Sequence, residues 1–193
     1  GKYPLCMHFA LHIMNSSGGE QRRIADVPVM TFCWSPDSNR IAFISGYENS
    51  ENFGLDGIAK SALYVLNINN RKLRRLTDVE GKVLPELSWS PTGSRISYST
   101  SVARKIYDIS IVNADGSGQR RIVAGTNPKW SPDGKRILFR TETTGVQIID
   151  IDGGNQKQVS ATPGYVRLIG FSPDGKKILY SSYDKSINSL YVM

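Results

Sequence analysis

Lys129 to Thr141 reads KWSPDGKRILFRT, and the pattern recurs at Cys33 to Ser45 (CWSPDSNRIAFIS), Ser88 to Thr100 (SWSPTGSRISYST) and Gly170 to Ser182 (GFSPDGKKILYSS). A fixed internal period outranks local propensity as a sign of architecture. In the most regular copy, Ser131-Pro132-Asp133-Gly134 has the chemistry of a type I turn. Serine caps the first position, proline presets φ at the second, aspartate suits the third, and glycine accepts positive φ at the fourth. The run after it, Arg136 to Phe139, is apolar on both faces of an extended chain, with Ile137 and Phe139 on one side and Leu138 on the other. Such a strand must be covered on both sides.

A second motif lies between the copies: LYVLNINNRKLRRLT from Leu63, ISIVNADGSGQRRIV from Ile109 and the weaker VQIIDIDGGNQKQVS from Val146. It also precedes the first copy, as LHIMNSSGGEQRRIA from Leu11, and the chain ends on its opening residues, LYVM from Leu190. Asn113 to Gly118 sits between two β-rich runs and reads as another hairpin turn. The last strand of the unit opens with Arg-Arg (Arg22-Arg23, Arg74-Arg75, Arg120-Arg121) and is the most polar, which suits an outer edge where charge discourages edge-to-edge pairing. One unit is therefore four short antiparallel strands, buried on both faces near the middle and polar at the rim. The serine of the Ser-Pro pair falls at 35, 90, 131 and 172, so the spacings are 55, 41 and 41. A twisted four-stranded sheet covered on both faces by its own copies is a propeller blade. Trp34, Trp89 and Trp130, with Phe171 as the fourth, are expected to fill the space between blades. The near absence of a 3.6-residue apolar period excludes a helical solenoid.

The pairing of Trp-Ser-Pro-Asp-Gly-Lys-Arg-Ile-Leu-Phe with Asn-Ala-Asp-Gly-Ser-Gly-Gln-Arg-Arg-Ile resembles the Pro-Asp repeat of TolB-like β-propellers, distantly similar to WD repeats, from Leu11 to Met193. The resemblance implies an all-β propeller. It leaves the function open, because such blades occur in TolB, in the propellers of peptidases and in some polysaccharide-processing enzymes. It also implies a periplasmic or secreted location if a leader has been removed, and a cytoplasmic one otherwise. The first copy loses the glycine at Ser38 and the second loses the aspartate at Thr92, so these two turns are expected to be less ideal.

About four blades fit in the chain, with motifs near 33–78, 87–124, 128–160 and 169–193, all within one domain spanning 1–193, and 11–25 supplying closing strands. Closure is expected through Gln21 to Ala25 as the outer strand of the last blade, or through a second chain sharing the ring. An open arc would expose a large apolar face at each end.

Composition bounds the rest. The 193 residues are 39% hydrophobic and 21% charged, the balance of a globular domain, with no apolar run long enough to span a membrane. Two cysteines, Cys6 and Cys33, exclude a disulfide scaffold. There is no Gly-x-Ser-x-Gly elbow and no phosphate-cradling glycine loop. Asp150 to Asn155 is similar to a calcium loop but has its glycine one place early and lacks a closing glutamate, so it reads as a turn. His8 and His12 are spaced for a helix face, yet His12 sits in a strand motif. No metal or other cofactor is expected. The net charge of +7 invites a nucleic-acid partner, but the Arg-Arg pairs recur around the repeat and spread the charge, which argues against one.

The repeat is broken once, by the 14 extra residues between the first two copies, within Gly46 to Ala62. Long connections on rigid scaffolds are where binding tends to reside, so Tyr47, Glu48, Glu51, Phe53 and Asp56 are candidate binding residues. Lys129 and Arg167, on the innermost strands around the channel mouth, are candidates for an acidic partner. With no nucleophile, metal cluster or paired acid and base, the chain reads as a non-catalytic scaffold that recognises a protein or peptide. The alternative is an accessory or catalytic propeller of a peptidase or carbohydrate-active enzyme.

Overall fold

The computed structural model describes residues 11–25, 29–46, 61–79, 82–103, 106–141, 145–160, 165–184 and 187–192. Every regular element among them is a strand. A two-stranded hairpin, β1 (Leu11–Ile13) and β2 (Arg22–Ala25), comes first. The first complete sheet follows, β3 (Val29–Trp34), β4 (Arg40–Gly46), β5 (Ser61–Asn67) and β6 (Leu73–Val79). The second is β7 (Lys82–Trp89), β8 (Arg95–Ala103), β9 (Ile106–Asn113) and β10 (Arg120–Ala124), and the third is β11 (Thr126–Trp130), β12 (Arg136–Thr141), β13 (Gly145–Asp150) and β14 (Lys157–Ser160). The last sheet has three strands, β15 (Tyr165–Phe171), β16 (Ile178–Asp184) and β17 (Ile187–Val192). In each sheet the strands run in chain order and pair antiparallel. The innermost strands β3, β7, β11 and β15 pack against one another in sequence, so the sheets stand side by side as propeller blades.

Alternation along each central strand sends its side chains to two neighbours. In β4, Ala42 and Ile44 join Leu63, Val65 and Trp89 in the core between the first two blades, whereas Ile41 and Phe43 join Leu66, Leu11 and Ile24 beneath the N-terminal hairpin. The second and third blades share Ile109, Ile111, Trp130, Ile137 and Phe139, and the third and last share Leu138, Val146, Leu168 and Tyr180. Phe139, Ile137 and Leu138 are all fully buried, as a strand apolar on both faces requires.

The Ser-Pro turns are built as their chemistry dictates. Gly134 N–H donates to the Ser131 carbonyl at 2.9 Å, and Ser131 Oγ donates to Asp133 Oδ1 at 2.5 Å while accepting from Arg136 N–H at 2.9 Å. Gly134 adopts φ +69°, the left-handed conformation that favours glycine. The serine hydroxyl, and after it a backbone N–H, hold the carboxyls of Asp37, Asp133 and Asp174 below the usual carboxylate range. Both irregular copies compensate. Ser38 is forced to φ +57°, and Thr92 replaces the carboxylate with hydroxyl contacts to Ser90 and Ser94 at 3.3 and 2.7 Å.

The blades do not close into a ring. Arg22–Ala25 pairs with Leu11–Ile13, not with Ile187–Val192, so the expected outer strand of the last sheet is not in place. The physical reason lies in apolar burial on the first blade: Leu11 and Ile24 bury their side chains against Ile41, Phe43 and Leu66, and this holds the hairpin there as the outer half of a preceding blade. Trp34 corrects a second expectation. Trp89 and Trp130 are 7% and 8% exposed between blades, but Trp34 is 47% exposed because no inner strand precedes its own among the described residues.

Candidate functional site: a basic groove between the first two blades

Antiparallel order places the turn between the first and second strands of each blade at the same end as the turn between its third and fourth. At this end, between the first two blades, lies a groove of about 620 Å³ lined by Arg40, Lys72, Arg74 and Arg95, with Asn67, Asn70 and Asn113 as neutral donors and acceptors. Asp115 is the one carboxylate on its wall, and hydrogen bonds from the Ser117 hydroxyl and N–H keep it ionised below the usual range. Four cations face one anion, so the groove attracts negative charge.

The scaffold fixes two of the four cations. Arg40 donates to the Gly93 carbonyl of the next blade at 3.0 Å, pairs with Asp37 at 3.1 Å, and lies 4.9 Å from the centroid of the Trp89 ring. Gly93 adopts φ +66°, the left-handed conformation that favours glycine, and a Cβ there would press on the Arg40 guanidinium at 2.8 Å. Arg74 reaches the Asp115 carbonyl at 3.3 Å, and Arg120 repeats the reach to the Ile151 carbonyl one blade on. Lys72 and Arg95 have no ion-pair partner among the described residues and remain available to a ligand.

Of the residues singled out in the sequence, Tyr47, Glu48, Glu51, Phe53 and Asp56 lie outside the described residues. Lys129 is half-buried on β11 opposite Leu138, and Arg167 is exposed on β15 opposite Ser181. Counted from the Ser-Pro turn, Lys129 stands at the level of Gly170, three residues from the level of Arg167, or roughly 10 Å along the strand direction. Lys129 does approach Cys33 of the first blade: burial pushes the Cys33 thiol up to about 12, and the Lys129 ammonium acts in the opposite sense. His12 is on β1, and His8 and Cys6 lie outside the described residues. Within the Asp150 to Asn155 turn, Asp150 accepts from Asn155 at 2.6 Å and Asp152 from Gly154 N–H at 2.8 Å, so both carboxylates serve the turn. Among the described residues, no three metal-ligating side chains come together, and no helix is long and apolar enough to cross a membrane.

The groove was not singled out from the sequence. Its signal was there: a basic residue five places after each turn serine (Arg40, Arg95, Arg136, Lys177), and the run Arg71-Lys72-Leu73-Arg74-Arg75. The sequence alone does not show that the turns of neighbouring blades face each other across one groove.

The chain is 37% identical over 108 residues to dipeptidyl-peptidase 5 of Porphyromonas endodontalis, covering 49% of this chain and 16% of the relative. It is 31% identical over 81 residues to the Tol-Pal system protein TolB of Hahella chejuensis, covering 37% of this chain and 19% of the relative. The crystal structure of TolB from Acinetobacter baumannii superposes with a TM-score of 0.70 at 19% identity, over 95% of this chain and 46% of that one. The chain thus spans less than half the length of each of these proteins. The sequence pattern of the TolB β-propeller domain matches residues 2–193, and the chain belongs to that family.

Proposed function

We propose that the chain is a non-catalytic binding module that holds an acidic segment of a protein partner in the groove between its first two blades. The observation that carries this reading is the set of Arg40, Lys72, Arg74 and Arg95 around one 620 Å³ groove with a single opposing carboxylate. A relative named for the Tol-Pal system supports a protein as the partner class. Lys129, Arg167 and the insertion residues Tyr47, Glu48, Glu51, Phe53 and Asp56 are proposed as secondary contacts.

The test uses a fluorescent polyglutamate peptide and a duplex DNA of matched length. The peptide is expected to bind with an affinity that falls as salt rises. The paired reversal Lys72→Glu and Arg74→Glu, at two exposed positions, is expected to weaken it more than tenfold, about 1.4 kcal/mol. Equal or tighter binding of the DNA moves the reading to nucleic acid, and peptide binding indifferent to the reversal removes the groove from it.

A second reading rests on the match to dipeptidyl-peptidase 5, of which this chain covers 16%. In that reading the propeller serves a peptidase. A hydrolase domain encoded in frame with these blades favours it.

A further inference from the structure

Each complete blade interface is made by an aromatic knob and a socket on the preceding blade. Trp89 donates its indole N–H to the Cys33 carbonyl at 3.2 Å, lies beside the Arg40 guanidinium and packs with Ala42 and Val65. Trp130 repeats the bond to the Ser88 carbonyl at 3.2 Å. The socket therefore comprises four repeat positions: the residue before the blade's own aromatic, the basic residue that closes the turn, the next core residue but one, and the residue of the third strand paired with it, as Val65 is with Ala42 and Val192 with Leu179.

On the last sheet these positions are Gly170, Lys177, Leu179 and Val192, and together they line an apolar cavity of about 330 Å³. Leu190 and Val192 beside it are 66% and 62% exposed. The outer edge of β17 has no paired strand among the described residues. At the other end of the arc is a knob without a socket: Trp34 stands with Met30 and Phe32 on one exposed face of β3. One molecule thus carries both halves of a blade interface, on sheets that do not meet within it.

We propose that a second copy of this chain completes the last blade: its Trp34 seats in the socket, its indole N–H donates to the Gly170 carbonyl, and its β2 adds to the free edge of β17 as the fourth strand. The contact is the one already made at Trp89 and Trp130, continued to the next position. It is heterologous, joining different surfaces of the two copies. One element must yield, because β1 and β17 claim the same third place in the shared blade; their sequences run parallel, Leu11-His12-Ile13 against Leu190-Tyr191-Val192. β1 is the one displaced, since it is held by three register pairs where β17 is held by six.

Light scattering on a sizing column over a concentration series tests the proposal with the chain as it is. Concentration-dependent association is expected for the wild type. Trp34→Ala removes the knob and Val192→Arg blocks the socket, both at exposed positions, so each variant alone is expected to be monomeric with an unchanged unfolding transition. Mixed, the two variants retain one intact socket and one intact knob between them and are expected to form a one-to-one pair. A wild type that stays monomeric to its solubility limit overturns the proposal and assigns the socket to a blade other than this chain's own. Variants that associate as the wild type does, or a mixture that fails to pair, overturn it equally.

Discussion

The two faces of the first blade have the same kind of sequence and opposite fates. On the face toward the second blade, Ala42, Ile44, Leu63 and Val65 are buried under Trp89, which is held by a carbonyl bond and a guanidinium. On the other face the hairpin covers Ile41, Phe43 and Leu66 but leaves Met30, Phe32 and Trp34 in solvent. Identical repeat chemistry is stabilising only where the neighbour is present, because the hydrophobic gain is proportional to the area removed from water. A blade cannot bury both of its faces alone.

The sharpest test of this contrast is truncation of the two tryptophans. Trp89→Ala is expected to cost about 3–5 kcal/mol, whereas Trp34→Ala in dilute protein is expected to change stability by less than about 0.5 kcal/mol. Urea unfolding compares them, and an equal loss at both positions would break the distinction between the faces. Next comes the thiol at the covered interface. Cys33 is raised from 9.0 to about 12, so in a Cys6→Ser background native protein at neutral pH should alkylate about a thousandfold more slowly than unfolded protein. The sign for stability follows: above pH 9 the unfolded thiol ionises first, so this contribution is lost as pH rises from about 9 toward 12.

Smaller effects probe the same interface at its rim. Arg40→Met keeps the aliphatic stem but removes the contacts to the Trp89 ring and the Gly93 carbonyl, and thermal unfolding should register a loss of about 1–2 kcal/mol. Ser38→Gly should relieve the left-handed φ of +57° and raise stability by about 0.5–1 kcal/mol. A loss in place of that gain would mean that the Ser38 hydroxyl contributes more than its backbone costs.

Much of the blade was legible in the residues themselves. The Ser-Pro-Asp-Gly chemistry located the turns, and Ile137, Leu138 and Phe139 showed by their own alternation that both faces are buried. The polar outer strand was readable from its Arg-Arg openings. The role of those arginines was not, because Arg74 and Arg120 reach carbonyls on the following blade, 41 and 31 residues away. The groove at the turns was hidden for the same reason: its cations come from two blades, and only their packing sets them facing one space. Trp34 shows the limit most plainly. Its motif matches those of Trp89 and Trp130, yet its exposure depends on what stands before it in the arc.

The sequence by itself determined the repeat, the four-stranded antiparallel blade and its turns, since these rest on backbone preference and the two-residue alternation of side chains, which are local. Only the tertiary structure decided that the N-terminal hairpin stays on the first blade, that the ring is open, and that a basic groove and an empty tryptophan socket face solvent. Those features depend on which surfaces meet, and a repeated sequence offers the same surface several times without saying which copy finds a neighbour.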